Sequence, residues 1–176
     1  MFMSLVQQRR SIRKFEKKPV ETDKLNTLIE IALRSPSSRG FNPWEFIIVT
    51  DPELLDRLSR AKPHGSSFLR NAPLGIVVCA DPEKSDVWVE DCSIASAFLL
   101  LAAESLDLGG CWIQIRERMH SDDVASETYV AGLLNIPDGY KVESIIAIGY
   151  PAEKLRSHDK SELGYEKISV NAYGKS

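Results

Sequence analysis

Apolar residues along the chain follow two spacings, one typical of a helix and one typical of strands. Between residues 22 and 35, apolar side chains recur three and four positions apart, which predicts an amphipathic helix capped by Thr22 and stopped by Pro36. Four short apolar runs predict strands over residues 45–50, 74–80, 111–115 and 142–148. The run 74–80 contains no polar residue, so we expect that strand to be buried on both faces.

End signals predict three further helices. Ser4 can cap a short helix over residues 5–10. Asp51, followed by a proline, is typical of a helix start. Ser121 is expected to open another helix, which ends near Asn135.

The longest helix is predicted over residues 87–108, with Gly109 and Gly110 ending it. Its centre is apolar almost all round, as in helices buried inside a domain or in a subunit interface. Four strands interleaved with about as many helices predict an α/β or α+β sandwich.

Composition and charge narrow the class of protein. The chain has 176 residues, of which 43% are hydrophobic and 27% charged, which fits one globular domain. Its net charge is -3 and its pI is about 5.7. A general nucleic-acid binder is usually basic, so we expect no nucleic-acid partner.

The same composition indicates a cytoplasmic protein with no membrane partner. The longest apolar run, residues 95–103, is interrupted by Ser96 and is too short to span a bilayer. No apolar signal segment precedes the first charges. Cys79, Cys92 and Cys111 are widely spaced and odd in number, which favours reduced thiols.

A short basic stretch, residues 9–14 (RRSIRK), is the first candidate for chemistry. Five Lys or Arg residues lie between positions 9 and 17 of a chain that is acidic overall. Arginine forms the forked hydrogen bonds that match a phosphate. A solvated basic face is the plain alternative. Ser11 among the arginines, together with Ile12 and Phe15, which need burial, favours an anion site.

Two other segments allow a structural and a functional interpretation. The loop over residues 35–44 is a helix-ending turn, or it gives hydrogen bonds to a polar ligand with Asn42 adding an amide; the residues alone favour the turn. In residues 109–114 (GGCWIQ), the glycines either allow a turn or let a planar ligand approach the backbone.

The remaining polar residues give no evidence of another chemistry. Cys111 has no neighbouring His or Lys and is expected to be a buried structural thiol. Asp91 and Asp107 are expected to cap helices or lie at the surface. No Walker loop, nucleophile elbow or zinc-helix motif is present. The histidines lack metal-ligand spacing and are expected at the surface: His64, His120 and His158.

Four segments together resemble the signatures of the nitroreductase family of FMN-dependent flavoproteins. Residues 9–15 (RRSIRKF) are similar to the first signature. Residues 36–46 (PSSRGFNPWEF) are similar to the second, with Asn42 where glutamine is common. Residues 110–113 (GCWI) and 148–151 (IGYP) resemble the third and fourth. Each segment alone is common, but all four occur in the family's order.

The resemblance implies an α+β fold: a nitroreductase-like sandwich with a mostly antiparallel central sheet flanked by helices. It also implies an intertwined homodimer with FMN at the subunit interface. Residues 1–176 would form a single FMN-binding domain, in which residues 150–176 are a C-terminal extension that packs on the partner subunit.

The resemblance further implies an FMN-dependent oxidoreductase. It would take hydride from NADH or NADPH onto flavin N5 and pass electrons to a small acceptor, such as a nitroaromatic or quinone, by a ping-pong mechanism. No side chain is expected to be catalytic, because the chemistry lies on the flavin. Two other classes stay open: a flavin-binding or storage protein without efficient turnover, and an anion-binding module without flavin.

Residues of the basic stretch would hold one end of the cofactor. By resemblance, Arg9 and Ser11 hold the phosphate and ribityl region, with Arg10 alongside. Arg13 would lie near the N1/O2 edge, where a cation stabilises the reduced ring.

Other residues would contact the flavin ring or complete the phosphate site. Ile113 and Gln114 would lie against the ring, with a backbone N–H near N5. A late basic residue, either Lys160 or Lys167, would complete the phosphate site. The loop of the other subunit would approach with four residues: Pro36, Ser37, Ser38 and Asn42.

The chain departs from the family's pattern at a few positions. Gly40 stands where many relatives have Asn, and Gln114-Ile115 stands where Gly or Glu-Gly is frequent. Residues 71–86 lack the insertion that covers the substrate in larger relatives, so the resemblance does not specify the acceptor.

Overall fold

The computed structural model describes residues 2–175, over which the chain forms five α-helices and four β-strands. In chain order they are α1 (Phe2–Gln8), α2 (Thr22–Leu33), β1 (Trp44–Val49), α3 (Pro52–Leu58), β2 (Leu74–Ala80), α4 (Trp88–Ser105), β3 (Gly109–Gln114), α5 (Ser126–Leu134) and β4 (Lys141–Gly149). Short 3-10 helices cover Ser38–Gly40, Ser67–Asn71, Lys160–Glu162 and Tyr165–Lys167.

The strands form one antiparallel sheet in the order β1-β2-β4-β3. Helices α2 and α4 cover one face, whereas α3, α5 and the segment after α1 cover the other. Every residue of β2 is buried, which confirms the prediction of a strand covered on both faces. Because the four strands pair with one another only in antiparallel fashion, the α+β prediction is confirmed and the α/β alternative is wrong.

Strand positions agree closely with the apolar runs. The bounds of β2 are those predicted, and β4 extends one residue beyond the prediction at each end. β1 begins one residue early, at Trp44, and β3 begins two residues early, at Gly109. Apolar runs therefore locate the strands because the sheet is buried on both sides.

The observed helix starts agree less well with the sequence predictions than the strand positions do. Ser4 lies inside α1 rather than capping it, and Thr22 is the first residue of α2 rather than its cap. The prediction that Ser121 opens α5 is wrong: the backbone N–H of Ser121 donates to Val124 in a turn, and α5 begins at Ser126. Asp51, in contrast, caps α3 by accepting from Leu54 N at 2.8 Å.

The predicted end of α4 at the two glycines is also wrong. The helix ends at Ser105, and Asp107 reverses the chain in the left-handed conformation (φ 58°) that aspartate tolerates. Gly109 and Gly110 are the first residues of β3.

The glycines at this end of the sheet allow close packing of the segment after α1. Gly109 pairs with Gly149 across β3 and β4. A Cβ on Gly109 would lie 2.6 Å from Ile12 Cγ1, and one on Gly149 would lie 2.5 Å from Pro73 Cδ and 3.0 Å from Phe15 Cδ1. These glycines thus leave room for neighbouring side chains of the chain itself.

A register shift between β2 and β4 places one carboxylate in the core. Val78 pairs with Ser144 and Cys79 with Val142, so Glu143 has no partner residue on β2. Glu143 is nevertheless buried.

Candidate functional site

The basic stretch is fixed against the ends of β3 and β4. The backbone N–H of Ile12 donates to the carbonyl of Gly110 at 3.1 Å, and that of Glu16 donates to Tyr150 at 2.9 Å. Ile12 and Phe15 are buried, as predicted. Three of the four segments singled out in the sequence therefore meet at one end of the sheet.

Cations gather around Cys111 at this end of the sheet. Burial raises the pKa of the Cys111 thiol. Four neighbouring groups act in the opposite direction: Arg13, the Ser11 hydroxyl, Lys62 and Arg9. The backbone bridge between Ser11 and Gly110 places the serine beside this strand, and the charges of Arg13, Lys62 and Arg9 act on the same thiol.

Sequence reasoning does not identify Lys62, which the structure brings to this cluster. Burial lowers the pKa of Lys62, and the charge of Arg118 lowers it further. A half-buried cation among other cations is the type of group that a bound anion stabilises. No local signal could have found Lys62, because its nearness to Cys111 arises only in the fold.

Arg10 points toward the C-terminal segment instead. Its guanidinium donates to the carbonyl of Arg156. With Glu104 it lines a cavity of about 320 Å³. Burial raises the pKa of Glu104, and the charge of Arg9 opposes this rise, so the basic stretch lies beside the C-terminal end of α4.

The segment that follows β4 contacts the basic stretch. The carboxylate of Glu153 accepts from the N–H of Arg13 at 2.7 Å and from that of Lys14 at 3.1 Å. Lys160 and Lys167 are exposed, and within residues 2–175 neither forms a hydrogen bond or ion pair with the basic stretch. The choice between these two lysines stays a prediction.

The outer edge of β3 presents a backbone donor next to the cations. Ile115 N donates to Glu143 in β4, whereas the carbonyl of Gly110 faces outward to Ile12. Because backbone direction alternates along a strand, the N–H of Gln114 also faces the outer edge. Ile113 points its side chain into the core.

The side-chain amide of Gln114 is held within its own strand. It accepts from Trp112 Nε1 at 2.9 Å and donates to the carbonyl of Arg116 at 3.1 Å. Because the side-chain amide already has partners, the backbone N–H is the group of Gln114 that is most available to a ligand.

The loop after α2 is ordered by its own polar groups. The Ser37 hydroxyl donates to Asn42 Oδ1 at 2.7 Å and accepts from Asn42 N at 2.9 Å. The N–H of Ser38 donates to Asp91 Oδ1 at 2.8 Å. Pro36 is exposed. The loop is thus a turn that ends α2 and includes a 3-10 helix, and the ligand-contacting role of the loop stays a prediction.

One chain does not bring this loop to the basic stretch. The loop is attached to Asp91 near the start of α4, whereas Arg9 acts on Glu104 near its end. At about 1.5 Å per residue, these two acids are separated by about 20 Å along the helix. Within one chain, the loop and the basic stretch therefore lie toward opposite ends of α4.

The expectations for other polar residues had mixed outcomes. Asp91 is buried rather than at the surface, whereas Asp107 is exposed. Cys111 is buried, as predicted. His64 and His158 are exposed, but His120 is half-buried, because its ring stacks on Tyr129 at 3.8 Å.

Residues 2–175 contain no cluster of His, Cys, Asp or Glu suited to a metal ion. Over the same range, no helix has both the length and the apolar character needed to cross a bilayer.

The arrangement combines three recognition features at one place. Arginines and a serine hydroxyl suit a phosphate, a strand edge offers a backbone N–H, and Arg13 adds a further cation. Such groups are suited to binding and orienting a ligand rather than to exchanging protons with it.

Comparison with known proteins places this site in context. The sequence model of the nitroreductase family matches residues 6–64 and 59–150. An FMN-dependent nitroreductase from Clostridium difficile superposes with a TM-score of 0.96 at 45% identity, over 97% of this chain and 99% of that chain.

Two more distant relatives extend the comparison. An Archaeoglobus fulgidus protein with a provisional name, NADH dehydrogenase/NAD(P)H nitroreductase, is 35% identical over 86% of each chain. The NADPH:FMN oxidoreductase of Vibrio harveyi, solved with NAD+, has a TM-score of 0.83 at 24% identity, over 98% of this chain and 77% of that chain. The likeness to the Vibrio harveyi protein shows a shared fold alone.

Proposed function

This chain belongs to the nitroreductase family, and from that premise we propose that it is an FMN-dependent oxidoreductase that uses NADH or NADPH as electron donor. The observation that carries the proposal is the meeting of the basic stretch with the free edge of β3. When bound, FMN accepts hydride at N5 and passes electrons to a small acceptor, such as a nitroaromatic or quinone, in a ping-pong cycle.

The cluster around Cys111 fits the phosphate end of FMN. Arg9 and Ser11 bind the phosphate and ribityl region, and Lys62, whose charge acts on the same Cys111 thiol, adds a third donor. Arg10 lies against the C-terminal segment, and its hydrogen bond to the carbonyl of Arg156 holds the backbone there.

The strand edge fits the ring end of the cofactor. The outward N–H of Gln114 would be the donor to N5, and Ile113 would contribute its backbone while its side chain anchors β3 in the core. Arg13 would supply a cation to the N1/O2 edge, where a positive charge favours the reduced flavin. The chain's role is to bind, orient and electrostatically tune the cofactor.

A homodimer completes each site. The separation of about 20 Å along α4 supports a site in which the loop of the partner subunit supplies Pro36, Ser37, Ser38 and Asn42. The C-terminal extension, residues 150–176, packs on the partner and brings Lys160 or Lys167 to the phosphate. Its exposed apolar side chains need such a cover: Leu163, Tyr165, Ile168 and Val170.

Comparing FMN with riboflavin tests the phosphate site. We expect Arg9→Ala to weaken FMN binding roughly 10- to 100-fold, because a hydrogen bond to a charged group contributes about 1.5–3 kcal/mol. Riboflavin, which keeps the ribityl chain but lacks the phosphate, should lose much less affinity than FMN. Both affinities are measured by quenching of flavin fluorescence, with the exposed Lys17→Ala variant as control.

Three other outcomes of this affinity comparison would each exclude part of the proposal. Unchanged FMN affinity in Arg9→Ala would remove Arg9 from the site. Equal losses for FMN and riboflavin would mean that Arg9 maintains the fold instead. A wild-type protein that binds neither flavin would favour the anion-binding module.

A further inference from the structure

Asp91 is a buried acid that forms no part of the cluster of cations. Only 2% of its surface is exposed. It lies in the first turn of α4, yet both of its carboxylate oxygens accept from groups outside the helix. Oδ1 accepts from Ser38 N at 2.8 Å, and Oδ2 accepts from the Ser85 hydroxyl at 3.0 Å.

The loop held by Asp91 adopts a backbone that needs external support. Directly after Ser38, Arg39 and Gly40 have φ values of 54° and 70°, and Asn42 has a φ of 47°. Such left-handed conformations at non-glycine residues persist only where the surroundings impose them. An ion pair between Arg39 and Asp86 adds a second attachment beside α4, but it is exposed.

A charged acceptor is well suited to this task. Hydrogen bonds from a backbone N–H to a carboxylate are stronger than neutral ones, and burial excludes competing water. The N-terminal end of α4 also favours a negative charge in its first turn. Asp91 therefore fixes Ser38 relative to a rigid helix of 18 residues.

We propose that Asp91 is a positioning residue that orients the Ser37-Ser38 loop for the flavin site of the partner subunit. The inference rests on the proposed function and assigns a role to a residue that does not touch the cofactor. Its effect is exerted in trans: loss of Asp91 in one chain weakens the site whose phosphate end belongs to the other chain.

Matched variants test the positioning role. Asp91→Ala loses both acceptors, whereas Asp91→Asn keeps an acceptor for Ser38 N–H and can donate to Ser85. We expect Asp91→Ala to weaken FMN binding at least about tenfold and Asp91→Asn to stay within about threefold of wild type. Glu90→Ala removes an exposed charge from the same helical turn and should change nothing.

A milder variant keeps the test usable if Asp91→Ala folds poorly. Ser85→Ala removes only the hydroxyl that fixes Oδ2, and we expect FMN binding to weaken about threefold. Circular dichroism and thermal unfolding of each apoprotein show whether the fold is intact. FMN affinity equal to wild type in a folded Asp91→Ala protein would overturn the proposal.

A mixed dimer separates action in trans from action in the same chain. One chain carries Arg9→Ala and the other Asp91→Ala, with different affinity tags for purification. If Asp91 acts in trans, one site carries both defects and the other carries none. The mixed dimer then binds one FMN with wild-type affinity, although neither homodimer does.

Absence of any wild-type-affinity site in the mixed dimer would contradict action in trans. If the proposed function fails at flavin binding, the result differs, because the wild-type protein itself would then take up no FMN. If it fails only at turnover, the FMN affinities still test the role of Asp91.

Discussion

At the residue scale, Glu143 is the least expected side chain of the core. It is 3% exposed, and its Oε2 has no hydrogen-bond partner within residues 2–175. Burial raises the pKa of Glu143, and Arg116 is the main group that opposes the rise. The β2–β4 register shift accounts for its position, because it leaves this residue unpaired in a buried strand.

Replacing Glu143 by glutamine should stabilise the protein at neutral pH. Because its pKa is raised on folding, the folded protein holds this proton more tightly than the unfolded chain. The carboxyl therefore costs no stability below its unfolded pKa, destabilises the fold progressively as pH rises toward its folded pKa, and has its full effect above it. We expect Glu143→Gln to add about 1 kcal/mol at about pH 8 and nothing near pH 4.

Urea unfolding across this pH range measures the effect, with exposed Glu90→Gln as control. A Glu143→Gln protein that is less stable than wild type at every pH would show that the ionised carboxylate is well partnered.

At the element scale, the packing of the basic stretch on β3 depends on Gly109. A side chain there would collide with Ile12, which lies within 3 Å of the position of its Cβ. We expect Gly109→Ala to destabilise the fold by about 1–3 kcal/mol, since overpacked cores shift backbone and rotamers. FMN binding should weaken as well, because the arginines would move with Ile12.

Gly132 provides the matched control for that substitution. It lies in α5 with no atom within 4 Å of an added Cβ. Gly132→Ala should stabilise the protein by about 0.5–1 kcal/mol, because alanine favours the helix. Equal stability of Gly109→Ala and wild type in urea would show that the basic stretch does not need its close contact with β3.

The sequence predicts which helices and strands form better than it predicts the residues at which they begin and end. Buried strands such as β2 produce apolar runs that one chain displays directly. The predicted end of α4 is wrong because Asp107 adopts the left-handed conformation that glycine usually adopts. Gly109 instead allows close packing of Ile12. Such roles depend on neighbours distant in the chain, which local patterns do not contain.

The candidate site was likewise predictable only in part. Ser11, Arg9 and Arg13 follow a recognisable local pattern, and the structure brings them together. Lys62 and Asp91 follow none, since each acts through a contact formed by folding. The roles of the individual residues in cofactor binding remain predictions.

At the scale of the whole molecule, the loop after α2 and the basic stretch lie at opposite ends of α4. Ser38 is attached near its start and Arg9 lies near its end, which is the basis of the proposed two-chain site. The exposed apolar side chains of the C-terminal extension and the exposed Ile94 and Phe98 of α4 are consistent with an extensive subunit contact. The dimer and the cytoplasmic location expected from the sequence stay predictions.

Anaerobic reduction of the FMN-loaded protein tests the central claim most directly. The purified yellow protein is mixed without oxygen with NADH, and separately with NADPH, while the flavin absorbance is followed. The proposed oxidoreductase bleaches within seconds to minutes with at least one donor, and a nitroaromatic or quinone then restores the colour. A protein that retains FMN but does not bleach with either donor would instead be a flavin-binding or storage protein.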